Sequence, residues 1–367
     1  MTEDNQTPLS LTQLSLIQLG WNNFFQQQVP IDGDSIPARV VRQDLGRYQL
    51  MSEQGLLVGI LQGKARLESS KADLPTVGDW VLVKEQVQGD EYIIQSMLER
   101  ATKFSRKQAG EKFYEQVVAA NIDTVFIVTG LDDNFNAQRI ERYVFLCNTS
   151  GALPVIILNK ADVCDDRDRF LDAVREVASD TPVHVISALN EEGIQSLKPY
   201  ISEGTTVAVL GSSGVGKSTL INSLLGYEHF KTGAVRDTDS RGRHTTTHRE
   251  LCPIPGGGLI IDTPGMRELQ IWSDEQYLAT TFEDVDELAT VCKFTNCHHQ
   301  SEPGCAIQAA IKAATLPQER WESYLKYLGE LAFLAEQQEI NAKLQKKSNN
   351  KKFTKSARNR SNIRDDE

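Results

Sequence analysis

The sequence predicts a three-part fold: a small N-terminal β-barrel, a central α/β unit on a parallel sheet, and a helical C-terminal segment. Three observations predict it. Residues 36–100 hold short β-rich runs (ARVVRQ, YQLMS, LLVGILQG, DWVLVKE, EYIIQSM) separated by Gly, Asp and Pro. From about 113 to 270, apolar runs (TVFIVTGL, LPVIILN, VHVISAL, TVAVLG, GLIIDTP) alternate with amphipathic segments. Three of the six cysteines then crowd into residues 292–305 beside two histidines. At 367 residues the chain is too long for one ordinary domain, and 40% hydrophobic residues exclude a disordered or collagen-like chain.

Residues 1–35 read as an arm whose apolar cluster, Leu16, Leu19, Trp21, Phe24 and Phe25, forms a short helix or docking segment. About five strands over 36–105 suit a barrel of the oligonucleotide-binding (OB-fold) type, with an SH3-like barrel as the alternative. The unit over 113–270 has strands that are apolar throughout, as a parallel sheet covered on both faces requires. Within it, Ile140, Tyr143, Val144 and Cys147 share one helical face. Residues 271–345 read as helices flanking the Cys/His cluster, the last helix spanning about 318–345, and 346–367 as a disordered basic tail.

The net charge of −11 argues against a nucleic-acid partner until its distribution is considered. Residues 343–364 carry nine Lys or Arg and no acid, and three acids follow; without this tail, residues 1–342 hold 30 basic and 47 acidic residues, or −17. An acidic body with a basic arm allows contact with nucleic acid through the arm, although a solvated terminus has the same composition. No run reaches the ~18–20 apolar residues of a membrane span, and the N-terminus lacks a signal-peptide pattern, so a cytoplasmic chain is expected.

The strand TVAVLG enters Gly211-Ser212-Ser213-Gly214-Val215-Gly216-Lys217-Ser218, followed by the helical TLINSLLG beginning at Thr219. This is the phosphate-loop pattern in its strand–loop–helix setting: glycines let backbone N–H groups wrap phosphates, and the helix N-terminus favours anions. Lys217 is expected on the β- and γ-phosphates and Ser218 on Mg²⁺. Asn159-Lys160-Ala161-Asp162 chooses the base. The Asp162 carboxylate can accept from guanine N1–H and the 2-amino group, neither of which adenine offers. Asn159 and Lys160 would fix the loop and cover the base, and Ser187-Ala188 can give a backbone donor to guanine O6. Asp262 would hold Mg²⁺ through water and the Gly265 N–H would sense the γ-phosphate. One of Thr245, Thr246 or Thr247, with Thr246 favoured, would complete the Mg²⁺ shell.

In an ordinary GTPase the phosphate loop precedes the guanine motif; here Asn159–Asp162 and Ser187-Ala188 come first. The fold class is therefore a circularly permuted P-loop GTPase between an OB-type barrel and a zinc-binding helical domain. Cys292, Cys297 and Cys305 with one histidine give four ligands within 14 residues, which suits a closed tetrahedral structural Zn²⁺ site. Cys147, Cys164 and Cys252 read as core or surface thiols.

The chain resembles the ribosome small-subunit-dependent GTPase A family of bacteria over nearly its whole length. The resemblance rests on Leu19-Gly20-Trp21, the stretch Gln116 to Asp123, Gly242-Arg243-His244-Thr245-Thr246-Thr247, and Cys292 with Glu302-Pro303-Gly304-Cys305. It implies an OB barrel, GTP hydrolysis stimulated by the 30S subunit, and a role in that subunit's late maturation. The 30S subunit with its 16S rRNA and GTP/GDP would be the partners of a cytoplasmic monomer without membrane contact. It also points to His299 rather than His298 as the fourth zinc ligand. Met266 stands where many GTPases carry a water-orienting Gln, and the resemblance supports His244 as its catalytic substitute beside Lys217. Two other readings fit: a nucleotide-gated rRNA-binding scaffold, and a permuted GTPase acting on the large subunit.

Overall fold

The computed structural model describes residues 14–30, 34–44, 46–61, 73–86, 90–107, 115–229, 249–262, 278 and 281–362. Five strands, β1 (Ile36–Gln43), β2 (Arg47–Ser52), β3 (Gly55–Leu61), β4 (Trp80–Glu85) and β5 (Glu91–Met97), pair in the closed order β1-β2-β3-β5-β4-β1. Every pair is antiparallel except β3–β5. That single parallel pair within a closed five-strand order is the OB arrangement and decides against the SH3-like alternative. Ala38, Val40, Tyr48, Leu50, Leu57, Val81, Val83 and Ile94 fill the interior.

The N-terminal arm is docked. Its helix α1 (Asn23–Gln26) brings Phe25 against Trp80, with Trp21 edge-on to Trp80 at 4.7 Å. Arg39, 1% exposed, has its guanidinium over the Trp80 ring, 5.7 Å from the centroid. Its guanidinium donates to the carbonyls of Leu19, Gly78 (3.2 Å) and Asn121 (2.9 Å), joining the arm, the barrel and the chain entering the central unit. Burial lowers the Arg39 pKa to about 10, against the pull of Asp123 and Asp79, so the group stays charged at neutral pH. Asp79 is fully buried and held by Arg100 through two 2.7 Å bonds.

Two strands link the barrel to the central unit. β6 (Lys103–Lys107) and β7 (Glu115–Ala120) form a separate antiparallel pair across the stretch where the sequence predicts the boundary between the two parts. The central sheet then runs β8 (Thr124–Gly130), α2 (Ala137–Ser150), β9 (Leu153–Asn159), α3 (Arg167–Val177), β10 (Val183–Val185), β11 (Thr206–Leu210), α4 (Lys217–Leu225), β12 (Glu250–Pro253) and β13 (Leu259–Asp262). Spatial order is β10-β9-β8-β11-β13-β12, all parallel except the β12–β13 pair. The early strands β8–β10 thus lie on one side of β11 and the late strands β12–β13 on the other, which is the spatial signature of the permutation. Every residue of β8 and β11 is buried, as double coverage of a parallel sheet demands. The four-residue β12 has no sequence forecast; it also pairs with β1 at Arg42 and Glu250, making one continuous sheet with the barrel.

Residues 271–367 belong to a second compact unit. Among its described residues are the helices α5 (Glu283–Thr290), α6 (Ala306–Lys312) and α7 (Gln318–Asn362). Arg320 clamps Asp284 at 2.6 and 2.7 Å and lies over the buried Phe282 ring, which Tyr324 and Tyr327 also contact. The predicted disordered tail is corrected in part: residues 346–362 continue α7, a stretch with neither Pro nor Gly to stop it. Residues 363–367 lie outside the described residues. Among the described residues no helix is long and apolar enough to cross a membrane.

Candidate functional site

The carboxyl ends of β11, β9, β8 and β10 lie side by side, the place where open α/β sheets bind ligands. From β11 the chain passes through Gly211–Gly216 into α4, whose first turn carries Lys217, Ser218 and Thr219. Two of the glycines are structurally required. At Gly211 (φ 148°) a Cβ would lie 2.2 Å from the Val128 carbonyl oxygen. At Gly216 (φ 94°) it would lie 2.3 Å from the Asn159 side-chain nitrogen. The Lys217 ammonium folds back and donates to the Ser212 carbonyl.

Asn159, 2% exposed at the end of β9, joins three loops. Its Nδ2 donates to the Val215 carbonyl at 2.8 Å, and its Oδ1 accepts from the Ala188 N–H at 2.9 Å. Lys160 adopts φ 70° and places its ammonium 2.7 Å from Asp132 Oδ2. Asp162 lies in the short turn Ala161–Val163, where the Ser187 hydroxyl donates to its Oδ1 at 2.5 Å. The structure therefore brings together Asn159, Lys160, Asp162, Ser187 and Ala188 with the loop through Val215 and Gly216. Asp262 ends β13, one strand beyond β11. His244, Thr245, Thr246, Thr247, Gly265 and Met266 lie outside the described residues.

Asp132 and Asn134, in the loop after β8, escaped sequence reasoning. The Ser212 hydroxyl donates to Asn134 Oδ1 at 2.9 Å, and Asn134 Nδ2 donates to the Ser213 carbonyl at 2.8 Å. The available signal was positional: short polar side chains following an apolar parallel strand next to the phosphate-loop strand.

In the second unit, Cys292, Cys297, His299 and Cys305 place one ligand atom each within 4.8 Å of the others. The His299 Nδ1 lies 3.5 Å from both the Cys292 and Cys305 sulfurs, which are 3.9 Å apart. A tetrahedral Zn²⁺ with usual Zn–S and Zn–N lengths requires S···S of about 3.8 Å and S···N of about 3.6 Å. The residues present can hold zinc. His298 is exposed and outside the group. The loop is shaped by Glu302, whose carboxylate accepts the N–H groups of His298, Gln300 and Ser301 at 2.9–3.0 Å. Its own backbone N–H and that of His298, with those of Ser301 and Gln300, hold it at a pKa of about 2. The Ala306 N–H points at the Cys292 sulfur at 3.3 Å, and Trp321 of α7 meets the His299 ring edge-on at 5.7 Å. His229, Glu250 and Cys252 form a second group of donors within 4.8 Å, with Cys252 buried in the sheet core.

A family model described as RsgA GTPase matches residues 97–272. Small ribosomal subunit biogenesis GTPase RsgA 2 of Vibrio parahaemolyticus is 45% identical over 89% of both chains. Small ribosomal subunit biogenesis GTPase RsgA of Opitutus terrae is 44% identical over 88% of this chain and 91% of its own. Among solved structures, YjeQ from Thermotoga maritima superposes with a TM-score of 0.60 at 26% identity, covering 81% of this chain and 99% of that one. YloQ, described as a circularly permuted GTPase, shares the fold with a TM-score of 0.55 at 22% identity, covering 83% and 97%.

Proposed function

The chain belongs to the RsgA GTPase family, and from that premise we propose that it is a GTPase that binds the 30S ribosomal subunit, assists its late maturation, and turns over GTP faster when bound there. The observation that carries the nucleotide part is the Asn159 amide bridging the base-side loop and Val215 of the phosphate loop. The ribosomal part is supported by relatives whose names say small ribosomal subunit biogenesis. A cytoplasmic monomer contacting 16S rRNA accords with this role.

Asp162 would read guanine through N1–H and the 2-amino group, steadied by the Ser187 hydroxyl on Oδ1. The Ala188 N–H, now bonded to Asn159 Oδ1, would share or exchange that bond to reach guanine O6. The backbone of Gly211–Gly216 would surround the phosphates, and Lys217 would leave the Ser212 carbonyl for them. Ser218, Thr246 and Asp262 would hold Mg²⁺, which when bound neutralises charge on the phosphates. With Met266 at the position of the usual glutamine, His244 would orient the attacking water. Zinc held by Cys292, Cys297, His299 and Cys305 would be structural, because four protein ligands leave no open position.

GTP turnover measured alone and with isolated 30S, 50S and 70S particles tests the reading. Stimulation by 30S particles is expected, with His244→Ala losing a factor of about 10² or more of it at unchanged nucleotide affinity. Equal turnover with and without 30S particles would refute the ribosomal role.

A further inference from the structure

The loop after β8 contacts both nucleotide-facing loops through Asp132 and Asn134. Asp132 holds Lys160 through Oδ2 and accepts the Asn134 N–H through Oδ1 at 3.1 Å. That turn directs the Asn134 side chain to Ser212 and Ser213. Its Oδ1 also accepts from Arg139 Nη1 at 3.0 Å, and Arg139 is fixed in turn because its backbone N–H caps onto Asn136 Oδ1 at 2.7 Å. Both lone pairs of the Asn134 oxygen and one of its two N–H groups are thereby used.

The consequence follows from peptide geometry. In a trans peptide the C=O and the next N–H point in opposite directions, so holding a carbonyl aims the following N–H. Ser212, Ser213 and Val215 each have their carbonyl held, by Lys217, Asn134 and Asn159 respectively. The N–H groups so aimed belong to Ser213, Gly214 and Gly216. Once a phosphate draws Lys217 away, the two asparagines remain. Around Gly214 there is open space: apart from its own chain neighbours, no atom lies within 4 Å of where a Cβ would stand.

We infer that Asn134 is a positioning residue for nucleotide binding: it orients the Ser213–Gly214 peptide so that the Gly214 N–H is presented to a phosphate. The inference rests on reading Gly211–Ser218 as the phosphate site.

Asn134→Ala, the isosteric Asn134→Asp and Lys217→Ala would be compared for affinity and release of fluorescently labelled GDP, with IDP as the second ligand. The two neutral hydrogen bonds lost to Ser212 and Ser213 predict about tenfold weaker GDP binding for Asn134→Ala, mostly through faster release. Asn134→Asp keeps the acceptor for Ser212 and Arg139 but cannot hold the Ser213 carbonyl, so it too should weaken GDP. The GDP/IDP affinity ratio should not change, because IDP lacks only the 2-amino group that Asp162 reads. GDP affinity within twofold of wild type in both Asn134 variants, while Lys217→Ala loses binding, would overturn the inference. So would a shifted GDP/IDP ratio, which would place the effect at the base. Wild-type affinity in Lys217→Ala would instead sink the phosphate-site reading itself.

Discussion

The Asn159 side-chain nitrogen donates to the Val215 carbonyl at 2.8 Å, spanning from the end of β9 to the phosphate loop 56 residues later. This bond ties the loop that begins at Asn159 directly to the Gly211–Gly216 loop. A Cβ at Gly216 would lie 2.3 Å from the same nitrogen, so the bond and a side chain at that position compete for one place.

Gly216→Ala should therefore break that bond and force an L-residue into the left-handed region. The backbone term alone is about 1–2 kcal/mol, or about 5–30-fold in affinity. Titration with GDP checks it, and an affinity within twofold of wild type would show that the loop can relax around the methyl group.

Base choice should reside in Asp162. Replacing it with Asn removes two charge-assisted bonds and leaves an amide donor facing the guanine 2-amino group. A loss of about 3–4 kcal/mol is expected, about 10²–10³ in GTP affinity, with preference moving to xanthosine triphosphate. Competition between the two nucleotides reads the outcome, and retained preference for GTP would contradict the assignment.

The barrel, the parallel strands, the phosphate loop and the four donors around Cys292 were legible because each has a local signature: alternation, apolar runs, glycine spacing or clustered cysteines. The order of motifs alone revealed the permutation. The four-residue β12 was not legible, because Glu250–Pro253 includes a proline and owes its place to Asp262 and Arg42 across the sheet. Asn134 and Arg39 were invisible for a different reason. A polar residue that satisfies distant carbonyls looks in sequence like any surface Asn or Arg. Its role exists only once the chain has closed.

The cysteine cluster should hold one zinc that stabilises its own unit. Cys297→Ser is expected to release that metal and speed hydrogen exchange over residues 290–310, leaving GDP affinity unchanged. Metal analysis of protein purified without chelators gives the stoichiometry. A second equivalent that survives Cys297→Ser and is lost on replacing Cys252 would belong to the group with His229 and Glu250. No zinc in the wild-type protein would end the hypothesis.

The last prediction concerns the joint between the arm, the barrel and the central unit. Replacing a buried ion with an apolar side chain is often neutral, because the desolvation cost of the charge disappears with it. Arg39 is a different case. Its guanidinium is the donor for the carbonyls of Leu19, Gly78 and Asn121, which come from three separate segments. Arg39→Met would keep the stem beside Trp80 but remove those three bonds. Asn121 still offers one amide donor to the Gly78 carbonyl at 3.0 Å, so the loss at Gly78 is partial. Each carbonyl left without its donor costs about 1–3 kcal/mol if water cannot reach it. A destabilisation of about 3–5 kcal/mol is therefore expected, in the range for breaking one side of a buried charged contact. Trp21 and Trp80, adjacent to the site, give a fluorescence signal for urea unfolding of this joint. A midpoint unchanged from wild type would mean that water or a neighbouring donor replaces the guanidinium, and that Arg39 is not what fastens the arm to the barrel.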